Sequence, residues 1–378
     1  MLPNSKPRYN EVDVIRMAAL IGICVVNVQF TGMLIGKLQA TPDHTYDFVA
    51  TLLVSCLFEM KFFLLFSFIF GWGVVIQASS AQAKGQAFKA RYFRRMSGLA
   101  LIGGLHAIFV FSGDILVLYA LLGGLLWFVK DYPAPKLLIL AGWMMPLSML
   151  SLMAFFVMTI MTVGGSLEYL FKESGDFSGS FLEATQTRLA DWPAVFIMML
   201  LLAQGPLVFA AFMAGLAAAK TNFFAADSAG FHWLRHRLPL LLLIGLPLNM
   251  LYAAFTSNLI PSSLAWLELF IYFFINIGAP ALSLVYLYLL IQLARKIQLP
   301  HLLMLAGQNS LSVYVLQCVL AGFIFGGYGL GLFGELGRAA LLFVALGIAL
   351  SAMLLVGSYA KALGRGPLEP ILRWMTGR

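Results

Sequence analysis

Charge is what this chain of 378 residues lacks: only 11% of it is Asp, Glu, Lys or Arg, against 61% hydrophobic residues. A soluble domain of this length needs roughly 25% charged residues to cover its surface, so a water-soluble globular fold is excluded. Cysteine is scarce as well. Cys24, Cys56 and Cys318 all lie in apolar segments, at spacings that suggest neither a disulfide framework nor a metal site, and they read as buried free thiols. Missing too are a GxxxxGK[ST] phosphate loop, HExxH, CxxC and a GxSxG elbow. Their absence argues against an ATP-driven pump or a metalloprotease of a familiar kind and leaves no metal or nucleotide motif.

What is present is a series of apolar runs of about 20 residues, the length that crosses a bilayer as a helix. The runs do not alternate with period two, as barrel strands would. The fold class is therefore all-α, a polytopic membrane helical bundle. About ten transmembrane helices are expected, near 12–35, 47–78, 97–112, 114–129, 137–163, 192–219, 238–256, 264–294, 301–326 and 338–360. No cleavable signal peptide, long linker, low-complexity tract or short-period repeat is evident, so a single transmembrane domain, 1–378, is the simplest organisation.

The net charge of +8 is spread over short loops, which fits membrane orientation and not nucleic-acid binding. Loops holding Lys6 and Arg8, Lys84 to Arg95, Lys130 and Lys136, Lys220 to Arg237, Arg295 and Lys296, and Lys361 to Arg378 carry eighteen cations. The opposite loops carry four, Lys37, Lys172, Arg188 and Arg338. The positive-inside rule then puts both termini in the cytoplasm. The longest outer loop, about 164–191, is acidic, with Glu168, Glu173, Asp176, Glu183 and Asp191.

Between Arg95 and Lys130, both inside, only 34 residues remain for a complete hairpin. Two full spans need about 20 residues each, so this hairpin is short and its tip, Ser112-Gly113-Asp114, stops below the outer surface. His106 lies roughly 15 Å above Ser97 at 1.5 Å per residue, near the bilayer midplane, with Asp114 at the apex. Ionisable groups at that depth are functional candidates. Ser112 and Asp114 also suit helix N-caps, and His106 also suits a satisfied core histidine bridging two helices.

Other charges sit within the spans. Lys61 is near the middle of the second span, too deep to snorkel, with Glu59 two positions away on another face. Arg16 is one turn inside the cytoplasmic boundary and three residues after Asp13, which makes a local ion pair an equal reading. Arg94 and Arg95 mark the inner mouth of the hairpin, as orientation signals or as holders of a phosphorylated ligand. Glu268 and Asn276 share a face of the eighth span. Gln308, Asn309, Ser312 and Gln317 form a polar seam, for which interhelical hydrogen bonding is the default.

These residues also carry a resemblance. VDVIRMAALIGICVVN, KFFLLFSFIFGWG and RRMSGLALIGGLHAIFVFSGDILVLYALLG resemble the YeiB-like bacterial inner-membrane proteins, domain of unknown function 418. Nearer the C-terminus so do GQNSLSVYVLQ, GYGLGLFGELGRAALL and GPLEPILRWMT, and the part from roughly 225 to 378 is the most family-specific. That family is distantly similar to transmembrane acyltransferases, through a first helix that begins Asp-x-x-Arg, here Asp13 and Arg16. The similarity implies transfer of an acyl group from cytoplasmic acyl-CoA, the cosubstrate, to a lipid or glycan acceptor at the outer face. Many acyltransferase-three members have a histidine late in that first helix where this chain has Asn27 and Gln29, so His106 is the base to expect. On this reading His106 and Asp114 are catalytic and Arg16, Lys61, Arg94 and Arg95 bind the donor. Glu268, Asn276, Gln308 and Asn309 face the acceptor. The alternative is a proton-coupled secondary transporter or flippase, to which breaks at Gly113, Gly205-Pro206 and Gly278-x-Pro280 are suited.

Overall fold

The computed structural model of the protein describes residues 9–34, 37–38, 40–163, 179–261, 264 and 267–377. Of the loop charges used above, Lys6, Arg8, Glu168, Lys172, Glu173, Asp176 and Arg378 lie outside the described residues. Among those described, the secondary structure is helical throughout. Helices α1 (Asn10–Gly32), α2 (Thr45–Leu57), α3 (Lys61–Gln82), α4 (Phe88–Phe109) and α5 (Leu116–Val129) form the N-terminal part. They are followed by α6 (Ala134–Val163), α7 (Phe181–Ile197), α8 (Gly205–Lys220), α9 (Ala229–Thr256) and α10 (Leu267–Lys296). Helices α11 (His301–Gln308), α12 (Ser310–Phe325), α13 (Arg338–Leu363) and α14 (Leu368–Met375) complete the chain.

Six helical stretches are long and apolar enough to cross a membrane, or up to eight if each of two bent pairs is one span. This is a multi-pass membrane protein. The two expected spans outside that count are the hairpin helices. Helix α5 has 14 residues, about 21 Å at 1.5 Å per residue, which is short of a hydrocarbon core about 30 Å thick. Helix α4 starts at Phe88, nine residues before the expected boundary, and its first turns carry Lys89, Arg91, Arg94 and Arg95.

Three expected spans are broken, the sixth at the expected Gly205-Pro206 and the other two beside polar residues, whereas the break expected at Gly278-x-Pro280 is absent because α10 runs unbroken through Pro280. The second is divided at Phe58–Met60, where Met60 takes a left-handed φ of 65°. Lys61 is consequently the first residue of α3 and not the middle of a continuous helix. The ninth turns through 94° between α11 and α12 at Asn309, and the sixth through 55° between α7 and α8.

Helix α1 is the hub, packed against α3, α10, α11, α12 and α13. Its residues Val14, Ile15, Ala19, Leu20, Val25 and Val28 are each no more than 1% exposed. At 100° per residue these positions go right round the helix, as expected of a helix with no lipid-facing stripe.

The tightest crossing joins α3 and α8. A Cβ at Gly71 would lie 2.0 Å from the carbonyl oxygen of Phe212, and one at Gly215 would lie 1.8 Å from that of Phe68. Small residues that let backbones touch are the usual device of helix association in lipid. Gly215→Val cannot be absorbed by a side-chain shift, because the atom it meets is backbone. It is expected to destabilise the protein by at least the roughly 1–3 kcal/mol typical of overpacking. Thermal unfolding in detergent micelles reads this, and a midpoint equal to wild type would contradict the crossing.

Candidate active site

The hairpin positions its two ionisable groups through backbone chemistry. Helix α4 ends at Phe109, three residues after His106, and α5 starts at Leu116, two residues after Asp114. The amides at the start of a helix lack partners within it. Asp114 meets this need: its Oδ1 accepts from the N–H groups of Leu116 at 2.8 Å and Val117 at 3.1 Å. Its Oδ2 is 2.8 Å from His106 Nδ1 and 3.5 Å from the Tyr314 hydroxyl, which donates to it. The cap and the histidine partner are thus the same carboxylate, one function per oxygen, and Ser112 is not the cap. Close approach of the two helices depends on Gly103, where a Cβ would lie 2.7 Å from Asp114 Oδ1.

His106 is 3% exposed and Asp114 1%. A carboxylate is an acceptor only, so the imidazole donates from Nδ1, and in its neutral form the lone pair is at Nε2. That nitrogen is buried and has no hydrogen-bond partner. The Cys318 thiol is within interaction range of the imidazole. The Tyr314 ring packs with its centroid 5.2 Å from that of His106. Tyr314, Gln317 and Cys318 stand at i, i+3 and i+4 and share one face of α12.

Beside Cys318 is a cavity of about 10 Å³, room for one water or hydroxyl, lined by Cys24, Asn27, Val28, Thr31, Gln317, Cys318 and Ala321. Gln317 is 2% exposed, and both its Nε2 and its Oε1 are without partners. Buried polar atoms in native proteins are nearly always paired. An orphaned carboxamide in the cavity that Cys318 lines, and an orphaned nitrogen on an imidazole that interacts with the same thiol, therefore mark a place built for something other than packing.

The roof of the site comes from a residue that charge counting alone assigns to an outer loop. Arg188 of α7 is 2% exposed and donates from Nε to the carbonyl of Ile108 and from Nη2 to that of Phe109, each at 3.1 Å. It therefore satisfies the end of α4 directly above His106. A lone arginine before an apolar run gives no sign of this in sequence.

The expected donor-binding residues fall in three places. Arg16 and Arg95 are close enough to repel each other electrostatically, with Arg91 adding to the positive field and Glu369 opposing it. Arg95 Nε is buried without a hydrogen-bond partner, and Arg16 holds Asp13 at 3.5 Å. This cluster lies eleven residues before His106 on α4, about 16 Å along the helix. Arg94 points elsewhere, into an open groove of about 710 Å³ that it lines with Phe93, Ser97, Leu101, Trp374 and Met375 among others. Lys61 belongs with neither. It is fully buried and donates to the carbonyl of Ser55 at 2.8 Å across the α2–α3 break.

The expected acceptor residues do not join the His106 site either. Asn276 accepts from Ser148 Oγ at 2.8 Å and donates to the carbonyl of Tyr272. Tyr272 lies in the electrostatic range of both Glu268 and Glu59, and Glu59 accepts from Tyr252 at 2.8 Å. These residues form a second polar cluster between α2, α6, α9 and α10, on a different side of α1: Gly22 of α1 abuts Phe62, whereas Cys24 and Asn27 face Cys318. Asn309, with Gln308 just before it at the end of α11, accepts from the Gly366 amide at 2.8 Å. Ser312 Oγ donates to Glu369 at 2.5 Å. The polar seam thereby anchors the start of α14 to the α11–α12 bend. Among the described residues no group of three His, Cys, Asp or Glu side chains is arranged to hold a metal ion.

Residues 218–378 match the family described as "Protein of unknown function (DUF418)". Along 98% of its length the chain is 27% identical to the uncharacterized protein YxaH of Bacillus subtilis (strain 168), of which it covers 94%. It is 26% identical to the uncharacterized protein YeiB of Escherichia coli (strain K12) over 35% of this chain and 34% of that one. No solved structure matches it.

Proposed function

For this YeiB-like protein of the DUF418 family we propose a transmembrane acyltransferase that moves an acyl group from cytoplasmic acyl-CoA to a hydroxyl or amine of a lipid or glycan at the outer face. The carrying observation is the buried His106–Asp114 pair, with Nδ1 on the carboxylate and Nε2 bare. A base oriented by a third group and free at its other nitrogen is the arrangement general-base catalysis uses. His106 takes the acceptor proton, and Asp114 fixes the tautomer and balances the imidazolium that forms.

The loop-charge asymmetry supports a bacterial inner membrane setting with both termini cytoplasmic and the chain as one domain. Two of the four cations assigned outside, Arg188 and Arg338, are buried on backbone carbonyls, which leaves still less positive charge on that face. The Arg16–Arg95 cluster and Arg94, at the opposite end of α4 from His106, then face the cytoplasm and take the phosphates of the donor. Trp374, 78% exposed at the rim of the Arg94 groove, offers the adenine a ring to stack on.

Purified full-length chain in lipid nanodiscs with labelled acetyl-CoA tests this reading. Saturable binding is expected, weakened at least about tenfold in the Arg94→Ala/Arg95→Ala double variant, since each charge-assisted phosphate contact is worth roughly 1.5–3 kcal/mol. Absence of donor binding, together with pH-dependent solute uptake into vesicles, would overturn it in favour of a transporter.

A further inference from the structure

Three features converge on one sulfur. Cys318 sits beside the imidazole of His106. The other nitrogen of that ring is held by Asp114. The cavity that Cys318 lines also contains an unpaired carboxamide, Gln317. Thiol, imidazole and carboxylate in this order are the parts of an activated nucleophile, a base within reach of it and a third group that orients the base. A thiol that merely filled space would need neither an imidazole beside it nor a buried amide with both polar atoms left bare.

Resting on the acyl-transfer reading above, we infer that Cys318 is a covalent carrier: transfer runs through a thioester on its sulfur, and the donor is a short-chain acyl-CoA. In the first half-reaction His106 Nε2 takes the thiol proton and the thiolate adds to the carbonyl carbon of acyl-CoA. The carbon–sulfur bond to CoA then breaks, and CoA leaves as its thiol with the proton from His106. In the second half, His106 removes the proton from the acceptor hydroxyl or amine, which adds to the Cys318 thioester. That carbon–sulfur bond breaks and the thiol is restored with the same proton. One thioester replaces another in the first half, no electrons are gained or lost, and no further reactant is required. Gln317 Nε2 supplies an N–H to the oxyanion of each tetrahedral intermediate. The cavity beside the sulfur, about 10 Å³, has room for one water-sized group, so side chains around Cys318 must shift to seat even an acetyl group, and a long chain is disfavoured further.

The test uses the full chain in nanodiscs with [14C]acetyl-CoA, without added acceptor, quenched in acid. Label is expected on the protein at up to one acetyl per chain, released by neutral hydroxylamine as a thioester is. It should be absent in Cys318→Ser and retained in Cys56→Ser, whose thiol lies outside this cavity. Thermal unfolding shows that each variant is folded, with Cys318→Ala as the alternative should serine disturb the site. A second arm uses no acyl donor: methyl methanethiosulfonate should modify Cys318 at least about tenfold faster in wild type than in His106→Asn. Equal rates would remove His106 as the base for this thiol. Acetyl transfer to a membrane acceptor at wild-type rate in Cys318→Ala, with no labelled protein, would overturn the covalent carrier and leave the acyltransferase standing. Neither label nor product from wild type would overturn both.

Discussion

His106→Asn is expected to lower acyl transfer by about 10²–10⁴, the usual contribution of a positioned general base, while the protein stays folded. An asparagine amide nitrogen occupies roughly the position of Nδ1, so the bond to Asp114 Oδ2, 2.8 Å in the native site, has a donor still. What disappears is Nε2, the atom without a partner. His106→Gln does the reverse. Its amide reaches toward the Nε2 position and leaves the carboxylate short of a donor in a site where Asp114 is 1% exposed. Breaking a buried charged pair from one side costs about 3–5 kcal/mol, so glutamine should lose stability as well as activity. Donor binding should survive in His106→Asn, because the arginine cluster is about 16 Å away along α4. Product formation in a single turnover, beside the unfolding midpoint of each variant, separates these effects. An asparagine variant that transfers at the wild-type rate would exclude His106 as the base.

The part of this site that sequence could show was set by length. Thirty-four residues between Arg95 and Lys130 cannot make two full spans. The structure has the corresponding short α5, with the paired imidazole and carboxylate at the closed end. The alternatives of cap and functional group for Asp114 were separate in sequence because a one-letter code has no oxygens. In space they are compatible, one for each oxygen. Tyr314 and Cys318 were legible only as part of an apolar run, since nothing local marks which face of α12 turns to a histidine two hundred residues earlier. The spacing Tyr314, Gln317, Cys318 was the available signal, but only Gln317 was read, as part of a hydrogen-bonding seam with Gln308, Asn309 and Ser312. The bends at Met60 and Asn309 fall beside Glu59 and Lys61 and within Gln308-Asn309-Ser310, but polar residues alone do not say that the helix turns there. A left-handed methionine is held by its surroundings against its own preference, and hydropathy measures no dihedral angles. Lys61 therefore looked like a charge inside a helix, whereas it begins one and reaches back across the break to Ser55.

Asp114 should give the widest separation between stability and activity. Its carboxylate accepts from two α5 amides, from His106 and from Tyr314. Asp114→Ala removes all four acceptor contacts at once, leaving the first amides of α5 and the imidazole Nδ1 buried without partners. A lost cap costs about 0.5–2 kcal/mol and an orphaned buried group about 1–3 kcal/mol, so a loss of about 1.5–5 kcal/mol is expected. Asp114→Asn is different. Its Oδ1 still caps α5, so its stability should stay within about 1.5 kcal/mol of wild type. Its Nδ2, however, is a donor facing His106 Nδ1, which must then become the acceptor and shift its proton to Nε2. The catalytic nitrogen is thereby blocked, and the corresponding tautomer error in a serine protease triad costs about 10⁴ in turnover. Asparagine should accordingly match alanine in lost transfer while matching wild type in unfolding, and modification of Cys318 by methyl methanethiosulfonate should slow in both. Should the asparagine variant keep its activity, the carboxylate serves α5 alone and the imidazole does its chemistry, if any, without it.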